Sequence, residues 1–113
     1  MAERHVEWTD AARDDLRAIA WHIAQDSLDN ALAVADRIDQ RAAALAMLST
    51  RGRIVPELRR MAETRYREVI EEPWRIIYRV DGSMVHIAAV VDGRRDVRAW
   101  LRERMARFKV TAR

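Results

Sequence analysis

Apolar residues recur along the chain at two periods. From Glu3 to Trp8 apolar and polar positions alternate, with Val6 and Trp8 on one side, which predicts a short strand. Thr9 or Asp10 can cap a helix there. Leu16, Ile19, Ala20 and Ile23 then recur at i, i+3, i+4 and i+7 and give that helix one apolar face. Gln25 to Ser27 interrupts the pattern, and Asp26 or Ser27 supplies the next cap. Ala31, Val34, Ala35, Ile38, Ala42 and Leu45 resume the helical period. Two amphipathic helices with so short a connection form an antiparallel hairpin. Their many alanines allow close approach. Ser49 to Gly52 ends the second helix, with Gly52 in the C-terminal position. Arg53 to Arg65 reads as irregular, with Pro56 and a mixed charge run.

The period then changes to two. Tyr66–Glu71 is a first strand, Glu72-Pro73 a tight connection and Trp74–Val80 a second strand. Trp74, Ile76, Tyr78 and Val80 share one face of it; Arg75, Ile77 and Arg79 share the other. Asp81-Gly82 is a hairpin signal, because this pair tolerates positive φ. Met84–Val91 is apolar enough to be central. From Asp96 a helix resumes, with Val97, Trp100, Leu101, Met105 and Phe108 along one stripe. The expected fold is α+β. An N-terminal strand and an antiparallel helical hairpin precede a three-stranded antiparallel meander that completes one sheet. A C-terminal helix follows, and the helices gather on one side of the sheet.

Composition narrows the class. At 113 residues the chain fits one domain, residues 1–113, and its 50% hydrophobic content supplies one modest core. The absence of cysteine excludes disulfides and thiolate chemistry. The first residues, MAERHVEW, are polar, and no apolar run approaches the ~20 residues of a membrane span. The expected compartment is the cytoplasm, with no membrane partner. The net charge of +3 is uneven: eight basic and two acidic residues fall between Gly93 and Arg113. Lys109 is the only lysine among 21 basic residues. Arginine suits bidentate contact with phosphate or carboxylate. Arg98, Arg102, Arg104, Arg107, Lys109 and Arg113 can therefore steer the chain to nucleic acid or an acidic partner, or form a solvated helix face.

His5, His22 and His86 lack metal-ligand spacing, so neither metal nor cofactor is expected. Tyr78, Trp74 and Trp100 read as core. Trp21 falls off the apolar stripe of its helix and marks a contact surface.

As an ordered set, these strands resemble a known family. Tyr66-Arg67-Glu68-Val69, Trp74 to Val80, Val85 to Val91 and Gly93-Arg94-Arg95-Asp96 look like the RelE/ParE superfamily of type II toxins. Upstream, Trp8-Thr9, Ala12, Asp15-Leu16 and Ile19 resemble the family's first strand and helix, and Gly52-Arg53 with Pro56-Glu57 its middle loop. The resemblance covers roughly residues 4 to 100. It implies a small toxin encoded beside an antitoxin, with roles in growth inhibition and plasmid stabilisation. The antitoxin wraps the toxin with a helix and an added strand, and operator DNA is met only through the antitoxin. Antitoxin contact is expected at Leu16, Ile19, Trp21 and Ile23.

The resemblance leaves the target open. ParE-like members poison DNA gyrase, and RelE-like members cut mRNA on the ribosome. Metal-free RNA cleavage needs a base for the 2′-hydroxyl, an acid for the leaving oxygen and cations for the developing charge. Arg67, Arg75 and Arg94 supply cations and Glu68 a carboxylate base. Arginine itself is a poor base because its pKa exceeds ~12. After Val91 there is no histidine or tyrosine, and Asp92 stands where relatives often carry a histidine. The reading that follows is a gyrase-binding toxin that meets its target or nucleic acid through Arg75, Arg79, Arg94, Arg95 and Arg98. The alternatives are a ribosome-dependent endoribonuclease and a non-toxic binding module of the same fold.

Overall fold

The computed structural model describes residues 3–111, with side chains described through residue 106. Strand β1 (His5–Trp8) runs into helix α1 (Asp10–Ala24). The Thr9 hydroxyl accepts from Ala12 N at 3.1 Å and donates to Ile87 O at 2.9 Å, so the cap also ties the helix to the sheet. Helix α2 (Leu28–Ala43) starts at Ser27, whose hydroxyl accepts from Asn30 N at 3.1 Å. Both predicted caps are present.

After α2 the chain departs from its expected course. The helical period does not run unbroken to Leu48. It turns at Ala44 and restarts as one turn, α3 (Leu45–Leu48). The stretch expected to be irregular contains strand β2 (Arg53–Ile54) and the one-turn helix α4 (Pro56–Arg59), with Pro56 at its first position. Both pieces are too short to show a period. Gly52 is not a left-handed helix stop, since Gly82 alone among the described glycines has positive φ. It is needed for space: a Cβ there would lie 2.3 Å from the Tyr78 hydroxyl and 2.7 Å from Glu68 O.

Strands β3 (Tyr66–Glu71), β4 (Trp74–Asp81) and β5 (Met84–Asp92) form the expected meander. The β4–β5 loop is Gly82-Ser83, one residue later than expected. Its single positive φ, +59° at Gly82, is the pattern of a II′ turn rather than a paired I′ turn. The five-stranded sheet has the order β1-β5-β4-β3-β2, with β1 parallel to β5 and the other neighbours antiparallel.

The sheet is covered on both faces, not on one. Ile76, Tyr78, Val85, Ile87 and Val90 pack with Ala12 of α1 and with Ile38 and Ala42 of α2. On the reverse face Ile77, Ala89 and Val91 pack with Val55, Leu58 of α4, and Val97 and Leu101 of helix α5 (Val97–Thr111). Arg75 and Arg79 flank Ile77 and make this second face look solvated in sequence, yet Ile77 is buried. Trp100 and Met105 are half-buried beside it; the Phe108 side chain lies outside the described residues.

A bulge sets the outer edge of β5. Ile77 pairs with Ala89 and Tyr78 with Ile87, so Ala88 is the extra residue. β1 accompanies β5 only through Ile87, because the chain then enters α1. Beyond that point two side chains stand where a strand would. The Asp15 carboxylate accepts from Val90 N at 3.0 Å, and Arg104 donates to Ala88 O at 3.2 Å. Arg104 also donates to Asp15, and its guanidinium lies 4.4 Å from the Trp100 ring centroid. This clasp joins α1 to α5 across the sheet edge. Among the described residues no helix is long and apolar enough to cross a membrane.

Gly52→Ala should lower stability by about 1–3 kcal/mol, since the new methyl has no room to move away from backbone. Urea unfolding of the variant against the parent measures it.

Candidate functional site

Two surfaces answer to the sequence expectations: the sheet face toward α4 and α5, and the outer side of the helical hairpin. On the first, Glu68 of β3 and Arg75 of β4 point to the same side, because alternate strand residues share a face. Glu68 is 1% exposed. Burying a carboxylate requires ionic partners, and two arginines provide them. Arg75 Nε donates to Glu68 Oε1 at 2.7 Å and Arg53 Nε to Glu68 Oε2 at 2.6 Å. The remaining nitrogens of Arg75 form a fork on Glu57 of α4, at 2.9 and 2.7 Å. Hydrogen bonds from Arg75 hold the Glu57 carboxyl below its ordinary range, and the Arg75 guanidinium is raised in turn, Glu57 being its main partner.

The remaining cations of the predicted set are dispersed. Arg94 is exposed and forked onto Asp92 at 3.0 and 2.7 Å, which lowers the Asp92 carboxyl. Asp92 is thus an arginine partner at the place expected for an acid–base residue. Arg67 points to the opposite sheet face from Glu68 and donates to Gly52 O at 2.8 Å. The structure therefore joins Glu68 to Arg75 but brings neither Arg67 nor a proton donor to them. Arg53, Arg75 and Arg94 line a groove of about 470 Å³ with Ile70, Pro73 and Gly93. Each of these arginines already faces a carboxylate.

Tyr78 is buried, donates to Ser49 O at 2.7 Å and accepts from Gly52 N at 3.0 Å. Burial raises its hydroxyl pKa, and its role is to fasten the α3–β2 connection to the sheet.

One row was not foreseen. The pairings Glu7↔His86, His86↔Arg79 and Arg79↔Tyr66 align these four residues across β1, β5, β4 and β3 on the α5 side. They stand 7 to 79 positions apart in the chain, and the register of four strands brings them together.

On the helical hairpin Leu16 and Ile19 are half-buried against the core, and Ile23 is half-buried. Trp21 is 73% exposed. Leu28 and Leu32 of α2 are 64% and 62% exposed. They lie one turn apart, off the buried stripe of Ala31, Ile38 and Ala42, and that offset was readable as an apolar surface. Of the target-facing set, Arg98 on α5 and Arg95 just before it are exposed, and Arg79 on β4 is half-buried.

A family model described as the ParE toxin of a type II toxin–antitoxin system, parDE, matches residues 6–97. The structure is similar to a chain of the chromosomal ParDE toxin–antitoxin system from P. aeruginosa, with a TM-score of 0.66 and 24% identity; 80% of this chain and 96% of that chain are covered. It is also similar to a chain of the toxin–antitoxin complex RelBE2 from Mycobacterium tuberculosis, with a TM-score of 0.60 and 20% identity, covering 80% and 99%. At these identities the likeness is one of fold. No curated protein matches the chain.

Arg75→Met leaves two carboxylates against the sheet without their shared cation and should lower stability by about 3 kcal/mol. Glu57, Glu63 and Asp92 are all depressed by arginine hydrogen bonds, Glu63 from 4.5 to about 2 by Arg65. Between the folded and unfolded values the unfolded chain binds more protons. This stabilisation is therefore complete above the unfolded value and lost as pH falls through the folded one. Melting temperatures should be level above about pH 5 and decline toward pH 2.

Proposed function

We propose that this chain, which belongs to the ParE toxin family of type II toxin–antitoxin systems, arrests growth by binding DNA gyrase and is neutralised by a cognate antitoxin. The observation that carries binding over cutting is the state of the sheet arginines. Arg75 and Arg53 are held by Glu68 and Glu57, and Arg94 by Asp92. A phosphate would have to displace a carboxylate from each. Glu68, the one sequence-derived base, has one oxygen bonded to Arg75 and the other to Arg53. Of the cations expected to meet a target, Arg98 on α5 and Arg95 just before it are exposed.

The antitoxin surface in this reading is Trp21 with Leu28 and Leu32. Three large apolar side chains on adjoining helices, each well over half exposed, supply the aromatic and aliphatic anchors of a protein interface. Leu16, Ile19 and Ile23, on the same helix as Trp21, are half-buried. The site of action is the cytoplasm, where gyrase works.

A second reading rests on the row Glu7, His86, Arg79 and Tyr66. It contains an acid–base histidine, a carboxylate, a cation and a phenol on one sheet face, the residue types of metal-free phosphodiester cleavage. The row would act on ribosome-bound mRNA.

Induced expression of the chain alone separates the readings. Gyrase binding gives growth arrest, DNA breakage and blocked supercoiling with intact mRNA. Cleaved mRNA that becomes intact in His86→Ala establishes the second reading instead. Unimpaired growth would leave a binding module. Separately, Trp21→Asp with Leu32→Asp should weaken antitoxin binding about tenfold or more while arrest persists. Co-purification with the product of the adjacent reading frame measures it.

A further inference from the structure

The fold sorts charge by layer. The hairpin on one side of the sheet, from Asp10 to Ala43, carries seven aspartates and four arginines. On the other side, residues 53–65 carry four arginines and two glutamates, and both glutamates are engaged, Glu57 by Arg75 and Glu63 by Arg65. α5 adds Arg98 and Arg102 to this second layer, with Arg95 just before it. Arg98 and Arg102 stand one turn apart on α5 and form a ridge, Arg95 lies just before the helix, and all three are exposed. Arg59 and Arg60 of α4 are exposed in the same layer. Among the described residues none of these five arginines forms an ion pair. The acids on α5 and at its start are few: Asp96 caps the helix through Ala99 N at 3.1 Å, and Glu103 adjoins the ridge.

We infer that the ridge of Arg98 and Arg102, with Arg95 at its start and Arg59 and Arg60 in the same layer, binds the phosphate backbone of double-stranded DNA. The chemistry selects this ligand in three steps. A protein interface has an apolar centre, yet the three most exposed large apolar side chains, Trp21, Leu28 and Leu32, belong to the acidic layer, and on the basic side Met61 beside Arg60 is less exposed than any of them. A single-stranded ligand needs aromatic platforms for its bases, and the one tryptophan of α5, Trp100, is half-buried under Arg104. A cationic ridge standing out on a helix fits the wide major groove of B-form DNA, whereas the major groove of A-form RNA is too narrow for it. The aspartates of the hairpin then turn that layer away from DNA and fix which side approaches. The contact is to phosphates, so it is independent of base sequence. It departs from the expectation that DNA is reached only through an antitoxin, and it does not depend on the gyrase reading.

Fluorescence anisotropy of the full chain with a labelled mixed-sequence duplex tests it. The chain should bind at low salt and weaken steeply as salt rises. Arg95→Ala, Arg98→Ala and Arg102→Ala combined should weaken binding tenfold or more at about 50 mM salt and flatten the log–log salt slope by about 0.9 per arginine. Arg13→Ala with Arg41→Ala, on the acidic layer, should leave both unchanged. Matching melting temperatures establish that each variant is folded. The inference is overturned by absence of binding at low salt, by unchanged binding in the ridge variant, or by an equal loss in the hairpin variant. Polyglutamate or an RNA duplex competing as well as DNA would also overturn it, in favour of an acidic protein or an RNA partner. Growth assays run in parallel report on the toxin reading alone, so the two can fail separately.

Discussion

Glu68 is the constraint around which the second face of the sheet is organised. A carboxylate this buried is tolerable only when its oxygens are paired. Its position on β3 brings it Arg53 directly opposite on β2 and Arg75 diagonally on β4, and Arg75 in turn holds Glu57 of α4. The short helix is thereby fixed over the sheet, where Leu58 and Val55 join Ile77, Val97 and Leu101 in a second core. Gly93 belongs to the same arrangement, since a Cβ there would lie 3.2 Å from Arg75 Cδ. The functional consequence follows from the pairing. Arginines committed to carboxylates are not available to phosphate, so Arg75, a phosphate ligand by sequence, and Arg53 join β2, β3, β4 and α4 in the fold.

The clasp of Asp15 and Arg104 complements that joint at the other end of the sheet. It satisfies the outward-facing Val90 N–H and Ala88 carbonyl beyond the Ala88 bulge, and it binds α5 to α1. An open strand edge invites pairing with another chain, and here two side chains occupy its first positions. The helices flanking the sheet are held as two separate layers of unlike charge. One layer offers apolar anchors suited to a protein partner, the other an arginine ridge suited to a polyanion.

The hairpin helices, their caps at Thr9 and Ser27, and the three-stranded meander were legible in sequence, because long periodic segments and caps are local signals. Trp21 was legible as an exposed residue for the same reason. The second face was not, because Ile77 sits between two arginines and its covering residues Val55, Leu58 and Leu101 come from other parts of the chain. β2 and α4 are too short to carry a period. Gly52 looked like a helix stop, but the reason for glycine is the Tyr78 hydroxyl, 26 residues away. Arg75 looked like a phosphate ligand for want of any local sign that Glu57 and Glu68 would claim it. The pairing of Asp15 with Arg104, separated by 89 positions, has no local signature.

Replacing the buried network as a unit addresses the central claim that it is structural and that activity lies elsewhere. In Glu57→Met, Glu68→Leu, Arg75→Met the ions are exchanged together for apolar side chains, a change that is often neutral or stabilising for buried ion networks. The account predicts a triple variant that melts at or above the parent temperature and still halts growth when expressed alone. A variant that melts like the parent but no longer halts growth would contradict it and place the network in the toxin's action.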